Sequence, residues 1–395
     1  MSSMVISESF NPMFSVAAIF EVIFWFSLIF IVYTYFGYPL MLVLISLLRN
    51  HPVNRGEITP GVSFIITAFN EEKRIKQKIE NTLMQDYPKE KMEIIVASDC
   101  STDRTDEIVN SYRLQGVKLV RAPERRGKEN AQQYAVDNAS GEILVFSDVA
   151  TILQKDGVAK IAKNFCDPTV GCVSGEDKLI DKDGKVSGEG TYVRYEMLLR
   201  NLETQVNTLV GLSGSFFAAR KEVCRDWAID LQSDFNTVLN SVKRGLRGVS
   251  DPESIGYYKN ITDEKKEFER KTRTVLRGIS VFMKSLQLLN PLRYGLFSWQ
   301  FFSHKLCRWL VPFAMIIVFL SNSILIPHSR VYLLAFIVQS AFYFIALGGM
   351  WTNLFVTKQC LKIPSFFVLV NLSILHAWFR YFKGEQVVRW NPSER

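Results

Sequence analysis

Apolar residues gather at the two ends of this chain and charged residues gather between them. That division limits the possible folds more than any single motif. Met13–Leu48 is apolar apart from Glu21. The run exceeds a signal-peptide core, and no small-residue cleavage site follows it. It is more than the ~20 residues one bilayer span needs and short for two. Gly37 and Pro39 would kink its end. Residues 1–48 contain no lysine or arginine, whereas Arg49 and Arg55 follow directly. The positive-inside rule therefore sets the N-terminus outside and the middle of the chain in the cytoplasm.

Three further apolar runs close the chain: Leu310–Ile326, Val331–Met350 and Ser365–Phe379. Lys305 and Arg308 precede the first, and Lys358 and Lys362 follow the second, both consistent with cytoplasmic flanks. The third run has open readings: a span, a re-entrant or interfacial segment, or a buried core helix. If it spans, the tail 383–395 with Lys383, Arg389 and Arg395 lies outside, against the charge rule. A chain of 395 residues, 48% hydrophobic and 22% charged, is neither disordered nor a fibre, and exceeds one compact domain. Its formal charge of +8 suits acidic partners: nucleic acid, anionic lipid or phosphorylated substrates. The basic residues cluster beside the apolar runs, where lipid and diphosphate account for them and nucleic acid does not. Six scattered cysteines, with no CxxC, form neither a disulfide framework nor a zinc site and suit a reducing compartment.

Residues 56–260 follow another pattern. Val62–Phe69, Met92–Ser98, Val117–Arg121 and Glu142–Ser147 are short β-rich apolar runs. Between them lie helical patterns at Glu72–Met84, Asp103–Gln115 and Lys128–Asn138. The alternation predicts an α/β fold, a mostly parallel sheet with helices on both faces. Ligands of such folds bind at the carboxyl ends of the strands. Four consecutive ends here are polar: Thr67-Ala68-Phe69-Asn70-Glu71-Glu72, Ser98-Asp99-Cys100-Ser101-Thr102-Asp103, Arg125-Arg126-Gly127-Lys128 and Ser147-Asp148-Val149-Ala150-Thr151. Any one reads equally as a solvated loop, and Ser101 or Asp103 as a helix cap; four together suit a nucleoside diphosphate. Asp99 would accept hydrogen bonds from a base or ribose. Arg126 and Lys128 would bind phosphate charge. Asp148 would hold a divalent cation. Neither GxxxxGK[ST] nor GxGxxG is present, which excludes a P-loop enzyme and an ordinary dinucleotide site.

The ordered runs VSFIITAFNEE, IIVASDCSTDRTDEI, RRGKENAQQYA and GEILVFSDVAT resemble the family-2 glycosyltransferases. The resemblance covers the whole middle region, and its membrane-bound members include cellulose, hyaluronan and other exopolysaccharide synthases. It implies the GT-A fold, with transmembrane helices flanking the domain. It also implies an inverting transferase that uses a nucleotide-sugar, usually a UDP-sugar, with Mg2+ or Mn2+. Thr67, Phe69, Asn70 and Glu71, with Ala68 among them, match the first nucleotide-binding loop. Asp99 matches the nucleotide-reading aspartate, Lys128 the basic residue of the RxGK-like loop, and Asp148 the first residue of the DxD metal motif, where Ala150 replaces the second.

The acceptor side is expected after residue 200. Gly211-Leu212-Ser213-Gly214-Ser215 looks like the glycine-containing loop that admits a sugar acceptor, and equally like a tight turn. In Ser233-Asp234-Phe235, Ser233 replaces the first acid of the family's pair and Asp234 keeps the second, the catalytic base; the alternative is an N-cap for a helix at Asn236–Lys243. Residues 261–309 mix bases with apolar residues. Phe268, Thr272, Val275, Ile279, Phe282 and Leu286 recur at helical spacing, which predicts an amphipathic membrane-surface helix. The family's polymer synthases carry QxxRW on such a helix. Arg270–Thr274, followed by Arg277, stands where the motif is expected, so Arg270, Arg273 and Arg277 are the diphosphate candidates. Lys305, Arg308 and Trp309 keep the Arg-Trp pair and are candidates for the acceptor path.

The expected organisation is a transmembrane helix (1–50), a cytoplasmic GT-A domain (56–260), interfacial helices (261–309), transmembrane or re-entrant helices (310–382) and a tail (383–395), in the inner membrane. The acceptor would be a glycan or lipid-linked. A polyprenyl-phosphate sugar transferase is a second reading. A nucleotide-binding membrane scaffold without turnover is the third, suggested by Ala150 and Ser233.

Overall fold

The computed structural model describes residues 12–180, 191–225, 227–259, 264–351 and 359–385. They form two compact units, one of residues 1–38 and 303–377, the other of 39–302 and 378–395. Lys358, Arg389 and Arg395, used above as charge markers, lie outside the described residues, as does the expected domain boundary at 260–261.

Helix α1 (Pro12–Val32) passes through a π turn (Tyr33–Gly37) into α2 (Tyr38–Leu48). Pro39 accounts for the turn, because it has no N–H to give the helix. The Tyr38 N–H reaches back to the Tyr33 carbonyl instead. The helix slips by one residue rather than breaking there.

The larger unit is built on β1 (Val62–Ala68), α3 (Ile75–Leu83), β2 (Met92–Ser98), α4 (Thr105–Ser111), β3 (Val117–Arg121), α5 (Lys128–Asn138) and β4 (Ile143–Asp148). These are the elements expected from hydropathy, with two trimmed helix starts and with α4 ending at Ser111, short of the expected Gln115. Helix α3 begins at Ile75 rather than Glu72 because the N–H groups of Glu71 and Glu72 are taken by Thr105 Oγ1 at 2.8 Å and Asp103 Oδ2 at 3.0 Å. Helix α4 begins at Thr105 because Asp103 Oδ1 accepts the Thr105 N–H at 3.0 Å. Asp103 is thus a turn-forming cap.

The chain continues as β5 (Ile152–Leu153), α6 (Gly157–Lys163), β6 (Val170–Ile180), α7 (Thr191–Val206), β7 (Phe216–Arg220), α8 (Lys221–Cys224), α9 (Ser233–Lys243), β8 (Arg247–Lys259) and α10 (Glu264–Met283). Two short helices, α11 (Pro291–Tyr294) and α12 (Leu296–Phe301), follow. The eight strands form one sheet in the order β3-β2-β1-β4-β7-β6-β8-β5. Neighbours among β3, β2, β1 and β4 run parallel, β7 runs antiparallel to β4 and β6, and β6 runs parallel to β8. All seven residues of β1 are buried, as a strand covered on both faces requires. Phe64, Ile66, Ile79, Val96, Val145 and Phe216 belong to one core, where each such side chain contributes about 1.5–3 kcal/mol.

The smaller unit is helical. A π turn (Phe302–Cys307) leads from α12 into α13 (Arg308–Leu325), and α14 (Arg330–Trp351) and α15 (Gln359–Phe382) follow. In this unit Phe24 meets Tyr332 edge-on at 5.4 Å, and the Tyr332 hydroxyl donates to Glu21 Oε1 at 2.5 Å. Among the described residues four stretches are long and apolar enough to cross a membrane: Val16–Leu48, Leu296–His328, Arg330–Gly349 and Ile363–Phe382. The second is longer than its hydropathy suggests, because helical backbone continues through Lys305 and Arg308. The helix therefore starts at Leu296 and not at Leu310.

Candidate active site

The site lies at the carboxyl ends of β1, β2 and β4. Where β2 ends, Asp99 is fully buried. Its carboxylate accepts the backbone N–H groups of Arg126 at 3.2 Å and Gly127 at 3.1 Å. Burial pushes the Asp99 carboxyl up, against those N–H groups and the Arg125 charge. Asp99 thus holds the loop that opens α5. Arg126 reaches it through its backbone, while the Arg126 guanidinium is exposed beside Glu124 at 3.5 Å. The neighbouring Arg125 guanidinium covers the Phe69 ring at 3.7 Å from the centroid.

The first-loop candidates divide. Asn70, in the left-handed region at φ 52°, spends its side chain on Thr102, accepting the Thr102 N–H at 2.8 Å. Glu71 is buried in a bidentate pair with Arg74 at 2.8 and 2.9 Å. Burial pushes its carboxyl up, and Arg74 opposes this. Both residues tie loops together. Ala68 is buried at the end of β1. Thr67 is buried with Oγ1 unpartnered, and it stands opposite Asp148 in the β1–β4 register.

Lys128 is the first residue of α5. Its Nζ donates to Asp148 Oδ1 at 2.6 Å and to the Gly214 carbonyl at 3.2 Å. Burial would pull the Lys128 amine down, but the charges of Asp148, Glu129 and Asp234 outweigh it and hold the amine above its ordinary value. The same lysine thus joins the end of β4 to the glycine loop.

Asp234 sits in the first turn of α9, one residue inside the helix, with Gln232 as the N-cap. The capping alternative therefore does not describe it. It is 9% exposed, and its oxygens accept the Phe235 N–H at 2.8 Å and the Gln232 amide at 3.1 Å. Burial pushes its carboxyl up, opposed by the nearby charges of Lys128 and Arg277. A Cβ on Gly214 would lie 2.6 Å from Asp234 Oδ2, so only glycine leaves room for that carboxylate. In the same loop, Ser213 Oγ donates to Asp177 Oδ2 at 2.6 Å, and Ser215 donates to the other Asp177 oxygen. Gly211 lies upstream in the irregular segment before β7.

Helix α10 brings the last charges. Leu276, Ile279 and Phe282 are buried in this unit, Phe282 stacked on Phe301 at 4.5 Å, while Leu286 is exposed. Much of the apolar face expected to meet lipid is thus covered by protein. Arg270 pairs with Glu267 at 2.7 Å, and Arg277 pairs closely with Glu129, the residue after Lys128. Arg273 has no ion pair among the described residues; burial, with Arg277 and Arg270 beside it, pulls its guanidinium down. Lys305, Arg308 and Trp309 belong to the smaller unit, where Arg308 Nη1 lies 3.2 Å from His304 Nε2.

The sequence reading missed Glu129, Asp177 and Lys78, and gave Arg125 a place at a polar strand end but no role of its own. For Lys78 a signal existed: it stands on the buried stripe Ile75, Ile79, Thr82 of α3, where an apolar residue is expected.

A divalent cation fits this site as a shared one. Asp148 offers one carboxylate, and Thr67 Oγ1 is an orphaned buried oxygen across from it. No group of three or more His, Cys, Asp and Glu is placed to hold a metal among the described residues. A hard cation would take its remaining oxygens from a diphosphate and water.

This sheet order, with polar residues at the carboxyl ends of β1, β2 and β4, is that of a GT-A fold. Residues 63–227 match the family described as Glycosyl transferase family 2. That match runs through the sheet from β1 to β7. The chain is 28% identical over 211 residues to the poly-beta-1,6-N-acetyl-D-glucosamine synthase of Staphylococcus aureus strain COL, covering 51% of this chain and 50% of that one. The Staphylococcus epidermidis protein of the same name is 25% identical over 217 residues, covering 50% and 51%. The chain thus spans about half the length of the curated relatives it matches. Among solved structures, a mannosyltransferase from Pyrobaculum calidifontis in complex with GDP-Man and Mn2+ superposes with a TM-score of 0.70 at 19% identity, over 93% of this chain and 100% of that one. That likeness establishes the fold.

Proposed function

We propose that this chain is an inverting glycosyltransferase. It moves a sugar from a nucleotide-sugar, a UDP-sugar, to a hydroxyl of a glycan or lipid-linked acceptor at the cytoplasmic face of the inner membrane. One observation carries the reading: Lys128 bridges Asp148 to Gly214, and Gly214 leaves just enough room for the buried Asp234 carboxylate. Diphosphate-binding charge and a proton acceptor therefore meet at one point. The staphylococcal relatives, named as synthases of an amino-sugar polymer, support an exopolysaccharide or other cell-surface glycan as the product class. The four long apolar helices support the membrane setting.

In this mechanism Phe69, Arg125 and the Asp99-held loop frame the nucleoside. Lys128 and Arg273 neutralise the diphosphate. A bound Mg2+ or Mn2+, held by Asp148, would supply Lewis-acid neutralisation of the same phosphate oxygens. Asp234 accepts the proton of the acceptor hydroxyl, whose oxygen bonds to the anomeric carbon as the bond to the diphosphate breaks. Attack opposite the leaving group inverts the anomeric configuration. Burial suits Asp234 to this work, since a carboxylate with a raised pKa is the stronger base. A membrane scaffold without turnover would need none of these alignments.

The test is release of nucleoside diphosphate by the detergent-purified chain across UDP- and GDP-sugars, with lipid and glycan acceptors. Release that depends on acceptor and is lost in Asp234→Asn is expected. A panel with no release, or release untouched by that substitution, overturns the reading.

A further inference from the structure

The donor site rests on a residue that takes no part in the chemistry above. Lys78 is fully buried on α3, against the Phe64 ring, its Nζ 5.3 Å from the ring centroid. Its Nζ donates to Ser147 Oγ at 2.7 Å and to the Thr151 carbonyl at 2.6 Å. A buried stripe position is satisfied by an apolar residue, and burying an ammonium opposes folding, so packing does not explain a lysine here. Its contacts do. Ser147 and Thr151 are the first and last residues of the five that end β4, and Asp148 lies between them. The Thr151 N–H closes the same turn onto the Asp148 carbonyl at 3.1 Å. Ala150 leaves Asp148 as the one carboxylate of the segment, so its direction depends on how that backbone is held.

We propose that Lys78 is a positioning residue: by clamping both ends of Ser147–Thr151 it aims the Asp148 carboxylate at Lys128 and at the diphosphate–cation pair. The proposal rests on the donor-site reading above. Burial pulls the Lys78 amine down to about 7, with Asp148 opposing. Both hydrogen bonds can be donated by the ammonium or by the neutral amine, so the clamp holds in either state.

The experiment uses the full chain in detergent and measures UDP affinity by calorimetry, with Mn2+ and with EDTA. Wild type, Lys78→Met, Ser147→Ala, Asp148→Asn and the Lys78→Met/Asp148→Asn double variant are compared. Wild type should bind UDP about tenfold or more tightly with Mn2+ than with EDTA. Lys78→Met should lose most of that enhancement while its affinity in EDTA changes less than about threefold. Ser147→Ala, which keeps the lysine, should lose part of it. The double variant should be no weaker than Asp148→Asn alone, because Lys78 acts through that carboxylate. A lysine that serves stability only would weaken UDP equally with and without Mn2+, and its effect would add to that of Asp148→Asn; that result overturns the proposal. If Lys78→Met does not yield folded protein, Ser147→Ala alone and combined with Asp148→Asn decides by the same criteria. If wild type binds neither UDP nor GDP, the donor-site reading itself fails and takes this one with it.

Discussion

The parallel half of the sheet, β3-β2-β1-β4, and the mixed half, β7-β6-β8-β5, hold their charged groups by different means. In the parallel half they stand at strand ends and are held by hydrogen bonds from other segments. Asp99 follows β2 directly and is held by two backbone N–H groups, and Asp148 ends β4. In the mixed half the groups come from helices and are placed by packing against loops and other elements. Asp234 rides on α9 against a glycine of another loop, and Arg277 on α10 is fastened to Glu129 in the parallel half. In the proposed reaction the first half holds the donor, and the second, assembled by packing, carries the base and Arg273.

If that contrast is right, damage to the two halves should differ in kind. Chelation should have the largest effect: EDTA should abolish transfer and excess Mg2+ or Mn2+ restore it, since a cation with one protein carboxylate is weakly held. Full activity in EDTA would leave the basic residues as the sole counter-charge and remove Asp148 from its cation role.

Asp234→Asn comes next. Turnover should fall by about 10³, while donor affinity stays within about twofold, because a base matters in the transition state and not in donor binding. Near-normal turnover would end the assignment.

Arg273→Ala should lower turnover about a hundredfold, the equivalent of about 2–4 kcal/mol of transition-state stabilisation, with the protein still in the membrane fraction and its Tm little changed. Arg277→Ala is the control. It strips a buried pair, so it should cost about 3–5 kcal/mol of stability. Arg308→Ala should change product length or acceptor use more than first transfer. If Arg308→Ala stops UDP release and Arg273→Ala does not, the segment Lys305–Trp309 holds the diphosphate role.

The smallest effect is on the pH profile. Asp234 must be ionised to act, and its carboxyl is raised by burial. Turnover should therefore fall on the acid side at a higher pH than an ordinary aspartate would give. Arg277→Gln removes a charge that lowers this pKa, so the limb should move to higher pH, a severalfold loss at the acid end. The linkage sign follows: a raised folded-state pKa contributes stability below the unfolded value, and that contribution is lost as pH rises through the folded one. Asp234→Asn should then raise Tm at neutral pH. An unmoved acid limb in Arg277→Gln would separate that arginine from the base.

Four strands and three helices were readable from hydropathy period, because a fully buried strand and an amphipathic helix each leave a local record. Lys128–Asn138 came out at its expected limits, although its buried residues include Lys128, Glu129, Asn130 and Gln132. The start of α3 did not, since the N–H groups of Glu71 and Glu72, just before it, are taken by Thr105 and Asp103, more than thirty residues away. Asn70, Glu71 and Arg126 were read as ligand contacts from their place at strand ends. In the structure their side chains meet Thr102, 32 residues from Asn70, and the near neighbours Arg74 and Glu124.

What the sequence by itself determined is therefore the alternation of strands and helices, the apolar ends, and the residue types at the strand ends, because each is written within one element. Which of those residues face one another was decided by the tertiary structure. The Lys128 bridge spans 20 and 86 residues, the Lys78 clamp 69 and 73, and the Arg277–Glu129 pair 148. Contacts at such separations exist only once the sheet has closed its order and buried the charges together, since burial is what turns an exposed ion pair of little consequence into a fixed one.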